Sequence, residues 1–594
     1  MAFNKYFHDE LTALRELGKE FSIRNPRLAP FLSIEAQDPD VERLLEGFAF
    51  LTGRLRQKLD DELPEVTHSL MSLLWPGFLR PIPSMSILQF TPQPTLSEKK
   101  RVLKGVEIDS KPVDGTVCTF RTCDEVEMHP LRVDQLVQKE RPTGHSLALR
   151  LGFTTSVRVQ DLGLESVRIH LHGEVHVAQT LYLWLFRYLD TIIVKAKTEE
   201  GEQTLFELPP SVVKPVGFKD SQSLLPTSKH LFSGYRLLQE YFCLPEKFQF
   251  FDLTGLEKIG MAALQNSEVD SAEWLEFEFV FNRSFESHLK IRETNFRLHC
   301  VPVVNLFRHE AIPLRVDHRL TEYRVLPAAE HPIHYEIFSI DEVESWGHED
   351  HHCQRYSKFE SFEHAQMIDE GPKRTYYRER IRPAVSGYGV DTYMAFVNES
   401  EVSIIPQTET ISIDLTCSNR HLPSLLNVGD ICIDTGTSPE YATFENISHV
   451  TPTFTPPLDQ GYHWRLISNM SLNYTSLTEM ETLKTILSTY DHRVFFDRQH
   501  ARASQHRLNG LDSIKAKPEE RLYEGIPIRG IATELCMRES CFANEGDMYC
   551  FAVILNEFFS LFSTINSFHR LSVKGMEQGE IYTWTPRVGQ QAVL

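Results

Sequence analysis

Apolar residues recur at three- and four-residue steps from the start of the chain. Phe7, Leu11, Leu14, Leu17 and Phe21 make one stripe and predict an amphipathic helix, which Asn25-Pro26 stops. A second helix is predicted after Asp38-Pro39, with Val41, Leu44, Leu45, Phe48, Leu55 and Leu59 on one face. Asp40 and Glu42 suit its positively polarised N-terminus, and Pro64 ends it. A short third helix, Glu65 to Leu74, runs into Trp75-Pro76. Helices patterned in this way need a partner surface, either in the same chain or in another subunit.

From Pro81 onward the period changes. SMSILQF, VCTFRT, SLALRLGF, SVRIHLHG and TIIVKAK alternate or are rich in β-branched residues, and turn residues separate them, so they predict strands. LYLWLFRYL (Leu181 to Leu189) reads as a buried helix among them, and Gln222 to Leu256 as a second helical stretch. Further strands are expected at EFEFVF, RLHCVPVVNLF, YRVL, TYMAFVN, TISIDLTC and DICIDT. Trp346 to Arg382 is rich in His and charge, lacks periodicity and reads as a loop or linker. Tyr462 to Ser488 turns helical near its end, Leu522 to Val553 reads as strands, and NEFFSLFSTINSFHRLSV (Asn556 to Val573) as a closing helix. In that helix Phe558, Phe562 and Ile565 form the buried stripe, which core packing explains better than a partner-facing surface.

These elements predict an α+β, multidomain chain: an N-terminal helical head, then mixed, mainly antiparallel β domains with interspersed helices. The expected divisions are a head at 1–80, a β-rich domain at 81–215, an α+β middle domain at 216–345, a His- and charge-rich linker at 346–390 and an α+β C-terminal domain at 391–594.

Composition narrows the function classes. The net charge is -21, from 61 basic and 82 acidic residues, and no long basic run is present, which disfavours nucleic acid and anionic lipid as partners. Acids arrive before any apolar run at the N-terminus, and no uninterrupted apolar stretch is long enough to span a bilayer. Ten scattered cysteines fit reduced thiols. Together these predict a cytoplasmic protein.

Two short motifs touch on catalysis. HEDHH (His348 to His352) matches the zinc-protease pattern, in which His348 and His352 would bind a metal and Glu349 would polarise water. Gly347, Asp350 and His351 leave that helix no apolar face, so a solvated His-rich loop is the better reading, with incidental metal affinity at His348, His351, His352 and Cys353. CIDTGTS (Cys432 to Ser438) contains the Asp-Thr-Gly of aspartic proteases. That mechanism needs two carboxylates and the chain has one such motif, so a β-turn is expected there. No phosphate-binding loop, dinucleotide fingerprint or nucleophile elbow is present. The alternatives kept open are a metal-dependent hydrolase using His348 and His352, and a ligand-binding β-rich module.

What remains is a set of dense aromatic stretches, among them GYRLLQEYFCLPEKFQFFDL (Gly234 to Leu253) and HWRLISNMSLNYTSL (His463 to Leu477). Two readings stand for them, core packing and obligate partner surface. Under the second, the candidate interface residues are Phe7, Leu11, Leu14, Phe48, Leu55, Tyr235, Leu238, Tyr241 and Phe242.

The same stretches resemble a known family. LLEGFAFLTGRLRQKLDDELPEVTHSLMSLLWPGFLRPIPSMSILQF (Leu44 to Phe90) is similar to the N-terminal signature of the type VI secretion baseplate family TssF, also called ImpG or VasA. The likeness continues through LLPTSKHLFSGYRLLQEYFCLPEKFQFFDLTGL, CVPVVNLF, LTCSNRHLP, WRLISNMSLNYTSL and INSFHRL, in order and over essentially the whole chain. Asn469 stands where the family often has His, and Trp346 to Arg382 diverges. The resemblance implies a structural protein without cofactor or catalysis, a wedge of a cytoplasmic baseplate docked at the inner membrane complex. It further implies two copies with one TssG, contacts to TssK trimers, to the phage-wedge-like TssE and to the VgrG spike hub, and a platform for sheath assembly.

Overall fold

A computed structural model describes residues 7–8, 10–15, 43–54, 69–73, 76–142, 144–226, 232–284, 289–316, 320–328, 330–346, 353–359, 375–384, 389–398, 409–455, 466–469, 478–523, 526–563 and 567–589. The chain divides into two units. One comprises Met1–Leu79, Glu360–Phe362 and Leu458–Ile467, and the other comprises Arg80–Phe359, Glu363–Pro457 and Ser468–Leu594. The described part of the first unit is helical: residues 7–8 and 10–15, 43–54 and 69–73, with a 3-10 turn at Pro76–Phe78. Leu11, Ala49 and Met71 are buried there.

The second unit is built on antiparallel sheets. A six-stranded sheet runs in the order Ile431–Ile433, Glu107–Ser110, Thr119–Thr122, Cys300–Val304, Met85–Pro92, Ala442–Asn446. Met85 faces Val304, and Leu88 faces both Val301 and Asn446, so strands far apart in sequence share one core. A five-stranded sheet joins Gly201–Leu208, Leu189–Thr198, Trp274–Phe281, Gly144–Phe153 and Leu131–Arg141. Another runs Phe307–Glu310, Glu409–Ser418, Glu336–Trp346, Cys353–Arg355, with Leu314–Val316 also on Glu409–Ser418. The expected divisions at 215/216 and 345/391 are therefore crossed by the sheets: strands from 81–215, 216–345 and 391–594 lie side by side. Sequence order did not mark this, because each strand buries its apolar face against neighbours from distant segments.

The described residues of the 346–390 segment include strands. Thr375–Pro383 pairs over its whole length with Val390–Asn398, and Ser357–Lys358 adds in parallel. Tyr376 and Tyr377 are buried, residues 378–381 half-buried and Arg382 exposed, so burial does not alternate along the strand and the arginines and glutamate hide it in sequence.

The second unit also carries the helices α1 (Val175–Leu183), α2 (Ser233–Cys243), α3 (Met480–Tyr490), α4 (Arg498–Asn509) and α5 (Glu545–Leu561). The predicted helix at Leu181 to Leu189 is the end of α1, continued by one π-helical turn at Trp184–Tyr188 before the chain turns into strand. The C-terminal reading is corrected. Residues 545–553 are helix rather than strand, and α5 ends at Leu561. Ser567–Gly575 is then a strand, paired in parallel with Ile526–Met537, and short strands come after it. α5 is thus the crossover of a β-α-β unit. MYCFAVILNEFFSL is apolar on all sides, so periodicity could not separate a buried helix from a buried strand.

Candidate assembly surfaces

α2 and α5 show what aromatic density does inside the second unit. Tyr235 stacks on Tyr490 of α3, with centroids 4.7 Å apart, and donates to the Asn469 carbonyl at 3.0 Å. Phe232, Phe558 and Phe562 close the same cluster, with Phe232 and Phe562 at 4.1 Å. Tyr241 reaches Phe551 of α5 at 6.1 Å. Tyr235, Leu238, Tyr241 and Phe242 are all buried within this chain, Leu238 completely. For these four candidate interface residues the packing favours the core reading, because a partner cannot reach side chains already enclosed by the chain's own helices. Phe558 is equally enclosed, whereas Ile565 lies outside the described residues.

Polar side chains lock the same helices. Asp547, in the first turn of α5, accepts from Arg507 of α4 at 3.0 Å and from Gln179 of α1 at 3.0 Å. Asn544 caps the helix by accepting from the Asp547 amide at 2.7 Å. Glu240 of α2 pairs with the buried Lys247 and also accepts the Leu224 and Leu225 amides, so the charge is satisfied on several sides. Burial pulls the Lys247 pKa down while Glu240 pulls it back up. α5 approaches α1 so closely that only glycine fits at Gly546: a Cβ there would meet the Gln179 backbone at 2.5 Å.

The head differs. In the helix at 43–54, Leu44, Phe48 and Leu51 follow one another at steps of four and three, on one face. They are 74%, 55% and 60% exposed, and Phe50 is 45% exposed. Phe7 and Leu14 are half-buried and Leu11 is buried, while Leu55 lies outside the described residues. Leu51 was not among the sequence candidates, although its i+3 relation to Phe48 was available.

The Asp-Thr-Gly motif lies in a turn. Asp434 is exposed beside a turn in which the Thr435 amide donates to Ser438 Oγ at 2.9 Å and the Thr435 hydroxyl donates to the Glu107 carbonyl at 2.6 Å. His348 and His352 lie outside the described residues, and Cys353 begins a strand. Among the described residues no group of three His, Cys, Asp or Glu side chains is placed to hold a metal, and no helix is long and apolar enough to cross a membrane.

A family model described as "Type VI secretion system, TssF" matches residues 1–591. The chain belongs to the TssF family. It is 29% identical to the type VI secretion system component TssF1 of Pseudomonas aeruginosa, over 99% of both chains. In structure it is similar to a chain of a TssK-TssF-TssG baseplate subcomplex seen by cryo-electron microscopy, with a TM-score of 0.77 and 30% identity, covering 92% of this chain and 98% of that one. It is also similar to a chain of a type VI baseplate complex, with a TM-score of 0.65 and 26% identity over the whole of both chains. The mixed α+β architecture is consistent with TssF membership.

Proposed function

We propose that this chain is a structural wedge component of the baseplate of a type VI secretion system, assembling with a TssG and a TssK. The observation that carries this reading is the likeness, over nearly the full length, to a chain solved within a TssK-TssF-TssG subcomplex. The exposed Leu44-Phe48-Leu51 face supports it, because a helix face this apolar is stable in water when another helix covers it. Phe7 and Leu14 extend the candidate contact within the head. The baseplate is cytoplasmic, docked at the inner membrane complex. The chain works without catalysis: its mechanism is to present interfaces on which the sheath assembles, with two copies per TssG and with TssE and the VgrG hub as further neighbours. A change between two interface packings would open the platform when spike or sheath engages.

The test is affinity capture of the tagged full chain from its native host, with native mass measurement of what it holds. Fixed-ratio recovery with TssG, TssK and TssE is expected, with two copies of this chain per TssG. Recovery as a lone folded monomer from a lysate containing those subunits would overturn the reading.

A further inference from the structure

A cleft of about 950 Å³ opens in the second unit over one face of the sheet that runs Phe307–Glu310, Glu409–Ser418, Glu336–Trp346. Strand register sets its floor. Arg308 lies opposite Thr416, which lies opposite Ser339; two residues on, Glu310 lies opposite Asp414, which lies opposite Glu342. Asp341 enters from a β-bulge between Ile340 and Glu342, a device that re-aims a side chain out of the regular ladder. Arg80 and Arg121, the latter from Thr119–Thr122, complete the charged lining.

The charges in this cleft are left apart. Asp341 is committed to the Ser339 and Thr416 hydroxyls, at 2.7 and 2.6 Å, and Glu342 to Arg355 at 3.1 Å. The guanidinium groups of Arg80, Arg121 and Arg308 make no hydrogen bond or ion pair among the described residues. Arg80 lies 5.1 Å over the Phe338 ring, and Glu379 and Asp341 act on it only at longer range. Three arginines without a carboxylate in contact share this one cleft. Glu310 and Asp414 face each other as like charges, an arrangement that destabilises a strand pair unless a cation intervenes. Among the described residues Phe307–Glu310 is moreover the edge of its sheet, with its other long side outside the ladder.

We propose that this cleft binds an extended polypeptide segment that pairs along the Phe307–Glu310 edge and carries an acidic and a basic residue two positions apart. The spacing comes from strand geometry: side chains at i and i+2 share a face, so an acid opposite Arg308 places a base opposite Glu310. Arg80 and Arg121 hold the acidic end, and Asp414 shares the base. A lone polyanion would meet the uncommitted Glu310 and Asp414, which disfavours phosphate as the occupant.

The probe is a random peptide library displayed on phage, panned on the immobilised full chain and on two double variants, Arg121→Gln/Arg308→Gln and Glu310→Gln/Asp414→Asn. Thermal melts verify that each variant folds, and Arg308→Gln alone, at an exposed position, serves if the first double variant does not. The retained clones are expected to share Asp/Glu-x-Lys/Arg or its reverse, and to bind the arginine variant about tenfold or more weakly, a loss of about 1.4 kcal/mol. Clones that bind wild type and arginine variant alike would overturn the proposal, and so would the absence of any enriched clone. Purely acidic clones held equally by the Glu310→Gln/Asp414→Asn variant would make the cleft a simple anion site and would also overturn it. The chain is tested alone, so the outcome is independent of the baseplate reading.

Discussion

Two helices of similar apolar content meet opposite fates in this chain. α2 buries Tyr235, Leu238, Tyr241 and Phe242 against α3 and α5, whereas the head helix at 43–54 leaves Leu44, Phe48 and Leu51 to solvent. Sequence pattern offers both the same two readings. The difference lies in what the rest of the chain supplies: α2 has a complementary aromatic surface at Tyr490, Phe551 and Phe558, and the head face has none among the described residues of its own unit. An apolar stripe therefore reports that a partner surface exists, and only the fold decides whether that surface is intramolecular.

The comparison breaks most visibly under truncation of aromatic rings. Phe558→Ala removes a fully buried ring between α2 and α5 and is expected to cost about 3–5 kcal/mol of unfolding free energy. Phe48→Ala, at an exposed ring, is expected to stay within about 0.5 kcal/mol of wild type in the isolated chain. Denaturant melts of the two variants side by side measure both values.

Acid separates the two regions next. Burial pushes the pKa of His492 down to about 4 and those of His170 and His569 to about 3, so all three remain neutral in the fold. In the unfolded chain a histidine takes its proton near pH 6.5. The unfolded state then binds more protons, and each of these histidines removes about 1.4 kcal/mol of stability per pH unit below 6.5. Their contribution is complete above pH 6.5 and lost as the pH falls to about 4 for His492 and about 3 for the other two. Melting temperature against pH should show this slope, and His492→Gln should make it shallower.

A smaller effect tests the close contact of α1 and α5. Gly546→Ala forces a methyl group against the Gln179 backbone and should cost about 1–3 kcal/mol by overpacking, read from the same melts. The smallest effect is expected at the protease-like turn. Asp434→Asn should change stability by less than about 0.5 kcal/mol, because the carboxylate is exposed and the turn is held by Thr435 and Ser438.

Much of this architecture was legible in the residues. Alternation marked the strands at Met85–Pro92, Gly144–Phe153 and Trp274–Phe281, and the apolar density of Leu181 to Leu189 marked the end of α1. Pairing was not legible, because partners such as Leu88 and Asn446 are brought together only by the complete sheet. α4 escaped notice because RQHARASQHRLN buries little more than Ser504 and Leu508, and its hold on the fold is polar, through Arg507 to Asp547. The arginines of the cleft left no local signal: Arg121 and Arg308 lie on two separate strands and Arg80 in a bend, and only the fold brings them together.

The central claim is that the head face, unlike α2, is completed by another subunit. The most direct measurement is co-purification of TssG with a full-length Leu44→Ser/Phe48→Ser/Leu51→Ser variant, scored against wild type by native mass. The account predicts a variant that melts like wild type but no longer retains TssG. Retention of TssG at the wild-type ratio by the folded variant would contradict it.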